Sequence, residues 1–344
     1  MASIIEKMWF QHPPKGGMLL LYILLWPVFK PLSFLFGVIS QHKRRQYSTG
    51  KKQAYSAPIP VVVVGNITAG GNGKTPVVVW LVEQLQAQGL KPGVVSRGYG
   101  GKAPHYPYYV EATTSTDIAG DEPVLIQRRT NAPVAVAPKR SEAVKMLFDH
   151  NVDVIITDDG LQHYALDRDI EIVVIDGQRR FGNEHLLPLG PLRETCERLN
   201  NVDFLICNGG SAQANEASMT LVPTDLINVK TGERCLIGDL KDIVAIAGIG
   251  HPPRFFSTLN QLGVTPVLCQ PFADHQAFEK QTLLELAHQG QHLVMTEKDA
   301  VKCYAFAEDN WWYLPVNADI AQPQATDIIN KIIEVKETYG SSSA

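Results

Sequence analysis

Short apolar runs alternate with amphipathic stretches along the chain beyond residue 57. The apolar runs cover residues 61–65, 93–96, 134–137, 153–157, 171–175 and 203–207. Helical periodicity occupies the intervals between them, for example at 75–88 and 139–149. A strand buried on both faces is apolar throughout, and a parallel neighbour needs a crossover helix. The pattern therefore predicts an α/β fold with a doubly wound, mostly parallel sheet.

The alternation is interrupted at LINVKTGERCLIG, residues 226–238, whose turn residues predict a hairpin. Further apolar runs follow at 243–247, 264–268, 292–296 and 312–316, with helices near 253–262, 279–289 and 322–337. We expect these elements to form a second, smaller α/β unit. The expected parts are an N-terminal segment of residues 1–50, a large domain of residues 51–225 and a smaller domain of residues 226–344 that closes over a cleft.

A long apolar stretch precedes the first strand: MLLLYILLWPVFKPLSFLFGVISQHKRRQY, residues 18–47. Its uninterrupted part, residues 18–29, would form about 18 Å of helix, whereas a bilayer core is ~30 Å thick. A longer helix would put Lys30 near its centre, at a cost of ~3 kcal/mol, with Pro27 and Pro31 nearby. These lengths favour a membrane-associating helix that lies in the interface. A spanning anchor and a buried hairpin are the alternatives.

Charge is distributed unevenly along the chain. Residues 1–52 hold eight Lys or Arg and one acid, although the whole chain has a net charge of −4. We expect Lys43, Arg44 and Arg45 to meet the anionic lipids of a membrane surface. The rest of the chain has no basic stripe, so no nucleic-acid partner is expected, and nothing implies an obligatory protein partner. The five cysteines form no CxxC pair, as suits a reducing cytosol.

The first strand leads into a loop of small residues, VVVVGNITAGGNGKTPVVVWL, residues 61–81. A strand, a glycine-rich loop and a Lys–hydroxyl pair that opens a helix are typical of a P-loop, in which backbone N–H groups surround phosphate oxygens. We expect Lys74 at the β- and γ-phosphates of ATP and Thr75 at Mg²⁺. The expected ATP-binding residues are Thr68, Ala69, Gly70, Gly71, Asn72, Gly73, Lys74 and Thr75. The strict GxxxxGK[ST] spacing would place glycine at Thr68, so the loop is a variant, and a coincidental glycine-rich turn is the alternative.

Two acids follow a later apolar strand in VDVIITDDGLQH, residues 152–163. A P-loop needs an acid at the end of a neighbouring strand to complete magnesium coordination. Asp158 and Asp159 are therefore the expected metal ligands beside Thr75, although paired acids after a strand also cap turns.

Two large classes of P-loop protein do not fit this sequence. Partition ATPases carry an additional lysine where this chain has Ala69. GTPases carry a base-reading motif that TEKD, residues 296–299, does not match, because its lysine comes one place too late. The class that remains is a transferase that passes phosphate from ATP to a small acceptor.

Short sequence blocks resemble those of tetraacyldisaccharide 4′-kinases, in the order expected of that family and from the N-terminal apolar segment to about residue 316. The blocks are GNITAGGNGKTP, SRGYGG, AGDEP, DDGLQH, LPLGPLRE, AGIGHPPRFF, FADHQAF and TEKDAVK. The resemblance implies transfer of the γ-phosphate of ATP to the 4′-hydroxyl of a tetraacylated glucosamine disaccharide 1-phosphate, a lipid A precursor. Such an acceptor implies an enzyme at the cytoplasmic face of the inner membrane, peripheral or monotopic.

The resemblance also implies roles for particular side chains. Asp121 would accept the proton of the 4′-hydroxyl, and His275 would pair with Asp121. Without the resemblance, Asp121 is typical of a helix cap and His275 of an ordinary core or surface histidine. From the sequence itself, Arg193 and Glu194 in GPLRE lie between expected hinge residues, so we expect this segment to close over ATP as a lid in which Arg193 stabilises the transferred charge. The residues expected near the substrate are Arg97, Tyr99, Glu122, Gln162 and His163.

Two other functions remain open from the sequence. One is a P-loop kinase that acts on another glycolipid or sugar. The other is a membrane-anchored P-loop ATPase switch, which binds a protein partner without phosphorylating a small molecule.

Overall fold

The computed structural model describes residues 4–10 and 17–341, which form two β-sheets flanked by helices. The helices are α1 (Ile4–Phe10), α2 (Gly17–Ser48), α3 (Lys74–Ala87), α4 (Thr116–Ala119), α5 (Asp121–Thr130), α6 (Arg140–Phe148), α7 (Pro252–Gln261), α8 (Lys280–Ala287), α9 (Glu297–Ala300) and α10 (Gln324–Ser341). The strands are β1 (Val61–Gly65), β2 (Pro92–Ser96), β3 (Tyr108–Val110), β4 (Val134–Val136), β5 (Val154–Asp158), β6 (Ile170–Asp176), β7 (Phe204–Asn208), β8 (Glu216–Pro223), β9 (Leu226–Asn228), β10 (Arg234–Cys235), β11 (Ile243–Ala247), β12 (Leu268–Pro271), β13 (His292–Thr296), β14 (Trp311–Leu314) and β15 (Val316–Ile320).

The larger sheet has nine strands in the order β15-β8-β7-β6-β1-β5-β2-β4-β3. The pairs from β8 to β4 in this order are parallel, and the edge strands β3 and β15 pair antiparallel with their neighbours. Helices α3, α5 and α10 pack on one face of the sheet and α6 packs on the other. The predicted doubly wound, mostly parallel α/β sheet is therefore confirmed.

Strand β1 lies at the centre of this sheet, between β5 and β6. Val64 of β1 stands opposite Asp158 of β5 in the parallel register. The loop that follows β1 and the acidic turn that follows β5 therefore leave the same edge of the sheet. In open α/β sheets, ligands bind at the carboxyl ends of the strands where the strand order reverses.

The smaller sheet has six strands in the order β10-β9-β14-β13-β11-β12, of which β14, β13, β11 and β12 are parallel. It begins at Leu226, in the segment predicted to form a hairpin. The strand predicted at 264–268 is instead found at Leu268–Pro271. That prediction was displaced because Gly263 adopts a positive φ of 82° and Pro266 has no N–H for a sheet ladder.

The end of the chain returns to the larger sheet, which the sequence pattern did not predict. The single strand expected at 312–316 is divided at Pro315 into β14, in the smaller sheet, and β15, in the larger sheet. Strand β15 pairs with β8, an edge-proximal strand with alternating exposure that the apolar pattern missed. Helix α10 packs in the core of the larger sheet. Residues 226–341 are therefore divided between the two sheets, and the domain boundaries given above stay a prediction.

Helix α2 continues for 32 residues, about 48 Å, through both Pro27 and Pro31. Residues Leu19–Ser48 are long and apolar enough to cross a membrane by length and composition, and most of this stretch is exposed. The alternative of a buried hairpin is therefore wrong for the described part of the segment. The C-terminal half of α2 docks on the body, where Ser33 Oγ donates to the Leu186 carbonyl at 2.8 Å.

The fold predicts a strict size limit at Gly65, the last residue of β1. A Cβ at this position would lie 2.5 Å from Leu161 Cβ and 3.1 Å from Leu161 N, in the turn that follows the acidic pair. Gly65→Ala should therefore lower the free energy of unfolding by about 1–3 kcal/mol, as overpacking does. Urea denaturation measures this loss. Gly238→Ala is the control, because an added Cβ there meets nothing within 4 Å. Equal stability of the two variants would contradict the prediction.

Candidate active site

A cavity of about 950 Å³ lies between the facing edges of the two sheets. Its walls come from the P-loop, the SRGYGG loop, the start of α5, the acidic turn after β5, the segment around Arg193, and three turns of the smaller sheet. Those three turns carry Gly250, His275 and Lys298. Chemical groups from both sheets therefore meet in one cavity, which is where the sequence blocks quoted above converge.

The P-loop residues from Gly70 to Thr75 line this cavity. Gly70 and Gly73 adopt φ values of 103° and 88°, which side-chain-bearing residues rarely adopt. Thr68 and Ala69 lie behind the cavity and brace the loop. The Thr68 hydroxyl accepts a hydrogen bond from Asn72 Nδ2 at 2.7 Å, and Ala69 N–H donates to the Pro191 carbonyl at 2.7 Å. These two groups are therefore already engaged within the protein.

Asp159 is the anionic centre of the P-loop side of the cavity. Arg193 Nη1 lies 3.0 Å from both of its carboxylate oxygens, and Lys74 Nζ lies 3.4 Å from Oδ1. Burial alone would raise the pKa of Asp159, but the charges of Lys74 and Arg193 outweigh burial and hold that pKa far below its usual range. Asp159 also has a positive φ of 50°, which places its side chain toward the cavity at a cost in backbone strain.

Asp158 has a different environment although it is the neighbouring residue. It is fully buried, and neither carboxylate oxygen has a hydrogen-bond partner among the described residues. Burial and the nearby charge of Glu122 raise the pKa of Asp158 to about 8. A buried carboxylate without a partner is costly unless a cation neutralises it. Asp158 therefore suits a divalent cation close to the P-loop.

The oxygen ligands available beside the P-loop suit Mg²⁺, which takes only a few of its ligands from the protein. Among residues 4–10 and 17–341, no group of three or more His, Cys, Asp or Glu side chains is arranged to hold a metal ion. Mg²⁺ usually keeps several waters and takes one or two carboxylates together with substrate phosphates. Thr75, Asp158 and Asp159 match that pattern, with Thr75 at the start of α3 in the cavity wall.

The structure brings Asp121 and His275 together although they lie 154 residues apart in the chain. His275 Nδ1 lies 2.9 Å from Asp121 Oδ1, which also accepts the Glu122 N–H at 3.0 Å. Asp121 is the first residue of α5, and the cap position is Gly120, so the interpretation of Asp121 as a helix cap is wrong. Asp121 Oδ2 is buried and has no hydrogen-bond partner within the described residues. That oxygen therefore keeps its capacity to accept a proton.

Local backbone geometry holds this pair in place. Gly120 has a φ of 88°, and a Cβ there would lie 2.5 Å from the Tyr99 carbonyl, so the SRGYGG loop packs directly on the start of α5. The Tyr99 ring contacts the His275 ring edge-on, with centroids 4.9 Å apart. His275 itself adopts a positive φ of 58°. Strained backbone of this kind is typical of functional sites.

The hydrogen bond between Asp121 and His275 shifts the pKa values of the two groups in opposite directions. Burial would raise the pKa of Asp121, but the hydrogen bond from His275 and the charge of Lys298 outweigh it, and the pKa lies below its ordinary value. Burial would lower the pKa of His275, but the hydrogen bond to Asp121 raises it overall. Asp121 is therefore ionised at neutral pH.

The remaining expected substrate residues line the same cavity. Arg97, Tyr99, Glu122, Gln162 and His163 all contribute to its wall. Gln162 Nε2 donates to the Asn66 carbonyl at 3.0 Å and to Glu194 Oε1 at 2.8 Å. Burial and the charge of Arg140 lower the pKa of His163 to about 4. His163 is therefore neutral at physiological pH.

The lid expected at Arg193 and Glu194 is already fixed in place. Arg193 N–H donates to the Ile67 carbonyl at 2.7 Å, while its guanidinium holds Asp159. Glu194 is buried and accepts hydrogen bonds from Gln162 and Tyr164. Arg193 therefore belongs to the wall of the cavity and Glu194 lies behind it, while closure of this segment as a lid stays a prediction.

Sequence reasoning missed the contribution of the smaller sheet to the electrostatics. Lys298 Nζ lies 3.1 Å from Glu122 Oε1 and 3.2 Å from Asp274 Oδ1. Arg254 Nη2 lies 2.8 Å from Asp176 Oδ2, and the same carboxylate binds Arg179 at 3.0 Å. The motif TEKDAVK contains Lys298 and the motif GHPPRFF contains Arg254. The spacing of these motifs does not indicate which acidic side chains the two residues contact.

The structure belongs to a known fold. A crystal structure described as LpxK from Aquifex aeolicus in complex with ATP matches with a TM-score of 0.75 and 24% identity, covering 92% of this chain and 99% of that chain. At that identity the likeness concerns the fold.

Sequence relatives are much closer. The tetraacyldisaccharide 4′-kinase of Photobacterium profundum is 76% identical over the full length of both chains. That of Vibrio cholerae is 62% identical over 99% of this chain and 100% of its own. The model of the family described as tetraacyldisaccharide-1-P 4′-kinase matches residues 25–334. With its P-loop, Asp159 and His275 lining one cavity, and with these sequence matches over nearly the whole chain, the chain belongs to the tetraacyldisaccharide 4′-kinase family.

Proposed function

We propose that this protein transfers the γ-phosphate of ATP to the 4′-hydroxyl of a tetraacylated glucosamine disaccharide 1-phosphate, a step of lipid A biosynthesis. The observation that carries the proposal is that the P-loop and His275, which pairs with the buried Asp121, line one cavity. The first binds the donor phosphates, and the second accepts the proton of the attacking hydroxyl. An ATPase switch would need no such proton acceptor on the far side of the cavity.

The donor half of the site consists of the P-loop and the acidic turn. Backbone N–H groups from Gly70 to Thr75 surround the phosphates, and Lys74 places its charge near the transferred group. Thr75, Asp158 and Asp159 would hold Mg²⁺, which would supply positive charge to the phosphates of ATP. Arg193 adds positive charge next to Asp159. This half orients ATP and stabilises the charge that develops on the leaving group.

The acceptor half consists of Asp121 and His275. As the bond between the 4′-oxygen and the γ-phosphorus forms, the bond from that phosphorus to the bridging oxygen of ATP breaks and ADP leaves. The hydroxyl proton passes to Asp121 Oδ2, the carboxylate oxygen without a hydrogen-bond partner. His275 donates from Nδ1 to Oδ1 and orients the carboxylate. In a loose phosphoryl-transfer transition state, positioning of the base matters more than its basicity.

Access to Asp121 requires movement of a neighbouring group, because Oδ2 is shielded from solvent. Tyr99 is the obvious group, since it is 65% exposed and lies between glycines of positive φ, Gly98 and Gly100. Displacement of the Tyr99 ring would admit the sugar hydroxyl while the rest of the wall excludes water. Exclusion of water favours transfer to the sugar over hydrolysis of ATP.

The membrane-associating helix leads into the same cavity. Phe36, Ile39, Ser40 and Lys43 of α2 line its wall, while the N-terminal half of the helix is exposed and apolar. An acylated acceptor stays in the bilayer, so an enzyme that reaches it needs a surface in that bilayer. We infer that α2 binds the cytoplasmic face of the inner membrane and presents the disaccharide headgroup to the cavity.

The proposal predicts a specific loss in Lys74→Ala. Removal of a charge aligned with the transferred group should lower kcat by about 10²- to 10³-fold without unfolding the protein. Transfer of label from [γ-³²P]ATP to the lipid fraction measures this change. Lys139→Ala is the control, because Lys139 is exposed, precedes α6 and pairs with Glu142 of that helix. Release of the label only as inorganic phosphate by the wild-type protein would rule out the kinase.

The Asp–His pair should behave as one unit. Asp121→Asn and His275→Gln should each lower kcat by roughly 10²- to 10⁴-fold, as the loss of a positioned base does. The double variant should be little worse than the poorer single variant, because effects within a catalytic unit are not additive. Steady-state kinetics and melting temperatures of the four proteins test this. Multiplicative losses in kcat would show that the two residues act independently.

Membrane binding should depend on the exposed half of α2. Leu20 and Leu24 are 63% and 65% exposed. Burial of each side chain in a bilayer would contribute about 1.5–3 kcal/mol to the free energy of membrane binding. Leu20→Gln/Leu24→Gln should therefore weaken partition into anionic vesicles by about two orders of magnitude. Leu262→Gln/Val267→Gln is the control, since these residues are also exposed but lie in the smaller sheet's unit. Unchanged sedimentation of the α2 variant would place the membrane contact elsewhere.

A further inference from the structure

Lys298 carries an ammonium group that is enclosed by acids, with 16% of its side chain exposed. Nζ lies 3.1 Å from Glu122 Oε1, 3.2 Å from Asp274 Oδ1 and 3.7 Å from Asp121 Oδ2. It also lies 3.4 Å from Nε2 of His275. The same ammonium therefore touches both members of the proton-accepting pair.

The turn that carries Lys298 is rigidly built. Thr296 Oγ donates to Asp299 Oδ2 at 2.6 Å and accepts the Asp299 N–H at 3.2 Å. Asp299 is fully buried and also accepts hydrogen bonds from Gly248 N–H at 2.9 Å and Lys302 Nζ at 3.0 Å. The turn that carries Lys298 is therefore held in place by hydrogen bonds that do not involve His275.

The contact with Nε2 determines where the proton of His275 resides. An ammonium group has only donors, so Lys298 can hydrogen-bond Nε2 only when that nitrogen presents a lone pair. The proton of neutral His275 must then lie on Nδ1, where it is donated to Asp121 Oδ1. The opposite tautomer would direct an N–H at the ammonium and leave Asp121 without its donor.

The charge of Lys298 opposes a second proton on His275. The charged groups that face His275 are Asp121 from α5, Asp274 from its own loop and Lys298 from α9, with Tyr99 as the neighbouring ring. The two carboxylates favour an imidazolium, and the ammonium disfavours it. Lys302, 3.9 Å from Asp121 Oδ2, is also held by Asp299 and makes no hydrogen bond to His275 among the described contacts.

We propose that Lys298 is a positioning residue for phosphoryl transfer, which holds His275 as the neutral Nδ1–H tautomer and Asp121 as the free carboxylate. The inference rests on the proposed function, because it assigns the proton-accepting state of the same pair. Lys298 thereby couples a residue of the smaller sheet to the base of the larger one. The ammonium of Lys298 neutralises the surrounding carboxylates, which would otherwise favour protonation of the His275 imidazole.

The pH profile of Lys298→Met tests this role. Without the ammonium, both Asp121 and His275 bind protons more readily, so the pair should lose its active form at a higher pH. The acidic limb of the pH profile of kcat should move to higher pH by about one unit or more, as expected for the loss of an adjacent opposite charge. At neutral pH, kcat should fall at least about tenfold while KM for ATP stays unchanged, and activity should recover as the pH is raised. Lys298→Arg, which keeps the charge, should retain the wild-type limb.

Two comparisons separate this inference from a structural role and from failure of the proposed function. Lys280→Met removes an exposed lysine of the same unit that pairs with Glu308, and should leave the profile unchanged. A loss of activity in Lys298→Met that is the same at every pH would overturn the positioning role. If wild-type protein transfers no phosphate to lipid, or if Asp121→Asn is fully active, the proposed function itself fails.

A spectroscopic measurement reads the tautomer directly and does not depend on activity. In ¹⁵N-histidine-labelled full-length protein, the His275 resonances are assigned by their absence in His275→Gln. At mildly alkaline pH, wild-type protein should show a protonated Nδ1 and an unprotonated Nε2, and Lys298→Met at the same pH should show a larger fraction with both nitrogens protonated. An Nε2–H tautomer in the wild type, or no change in the variant, would refute the inference.

Discussion

Carboxylates on the facing edges of the two sheets require positive charge, and much of that charge comes from the opposite sheet. Glu122 is held by Lys298, and Asp176 of β6 is held by Arg254 of α7 at 2.8 Å. In the other direction, Arg129 of α5 meets Glu297 at 2.6 Å. An acid left unpaired in such a partly buried site would cost several kcal/mol. The contacts that hold the sheets together are thus the contacts that build the cavity.

This arrangement ties the geometry of each half of the site to the other. The P-loop reaches the smaller sheet at Gly71, where a Cβ on Gly250 would lie 2.5 Å from Gly71 N. Arg179 links the same place to Asp176, since it donates to the Gly71 carbonyl at 2.9 Å while it pairs with Asp176. The P-loop is therefore in direct contact with the interface between the sheets, which also carries Lys298 and His275.

Much of the larger sheet could be predicted from the sequence because its strands are buried on both faces. The apolar runs of β1 and β5, the P-loop and the paired acids are local patterns, and each lies where its spacing indicates. The Asp121–His275 pair was a different kind of prediction. No local pattern links residues 154 positions apart, so the pair depended on resemblance to a family.

The failures of prediction share a physical origin in tertiary contacts. Strand β8 alternates in exposure near a sheet edge, and β15 becomes visible as a separate strand only because Pro315 interrupts the ladder. Lys298 was missed because a single lysine in a short polar motif shows no periodicity. Its role depends on acidic side chains that only the folded structure brings next to it. Helix α2 continued through two prolines because each removes a single backbone hydrogen bond, which a 32-residue helix tolerates.

The chain passes between the two sheets twice, once before Leu226 and once at Pro315. The two passages are joined to each other, since Thr224 N–H donates to the Pro315 carbonyl at 3.1 Å. Two strands bonded side by side restrict rotation of one sheet against the other more than a single connection would. The double connection thereby helps to fix the smaller sheet, with Lys298 and His275, opposite the start of α5, where Glu122 and Asp121 meet them.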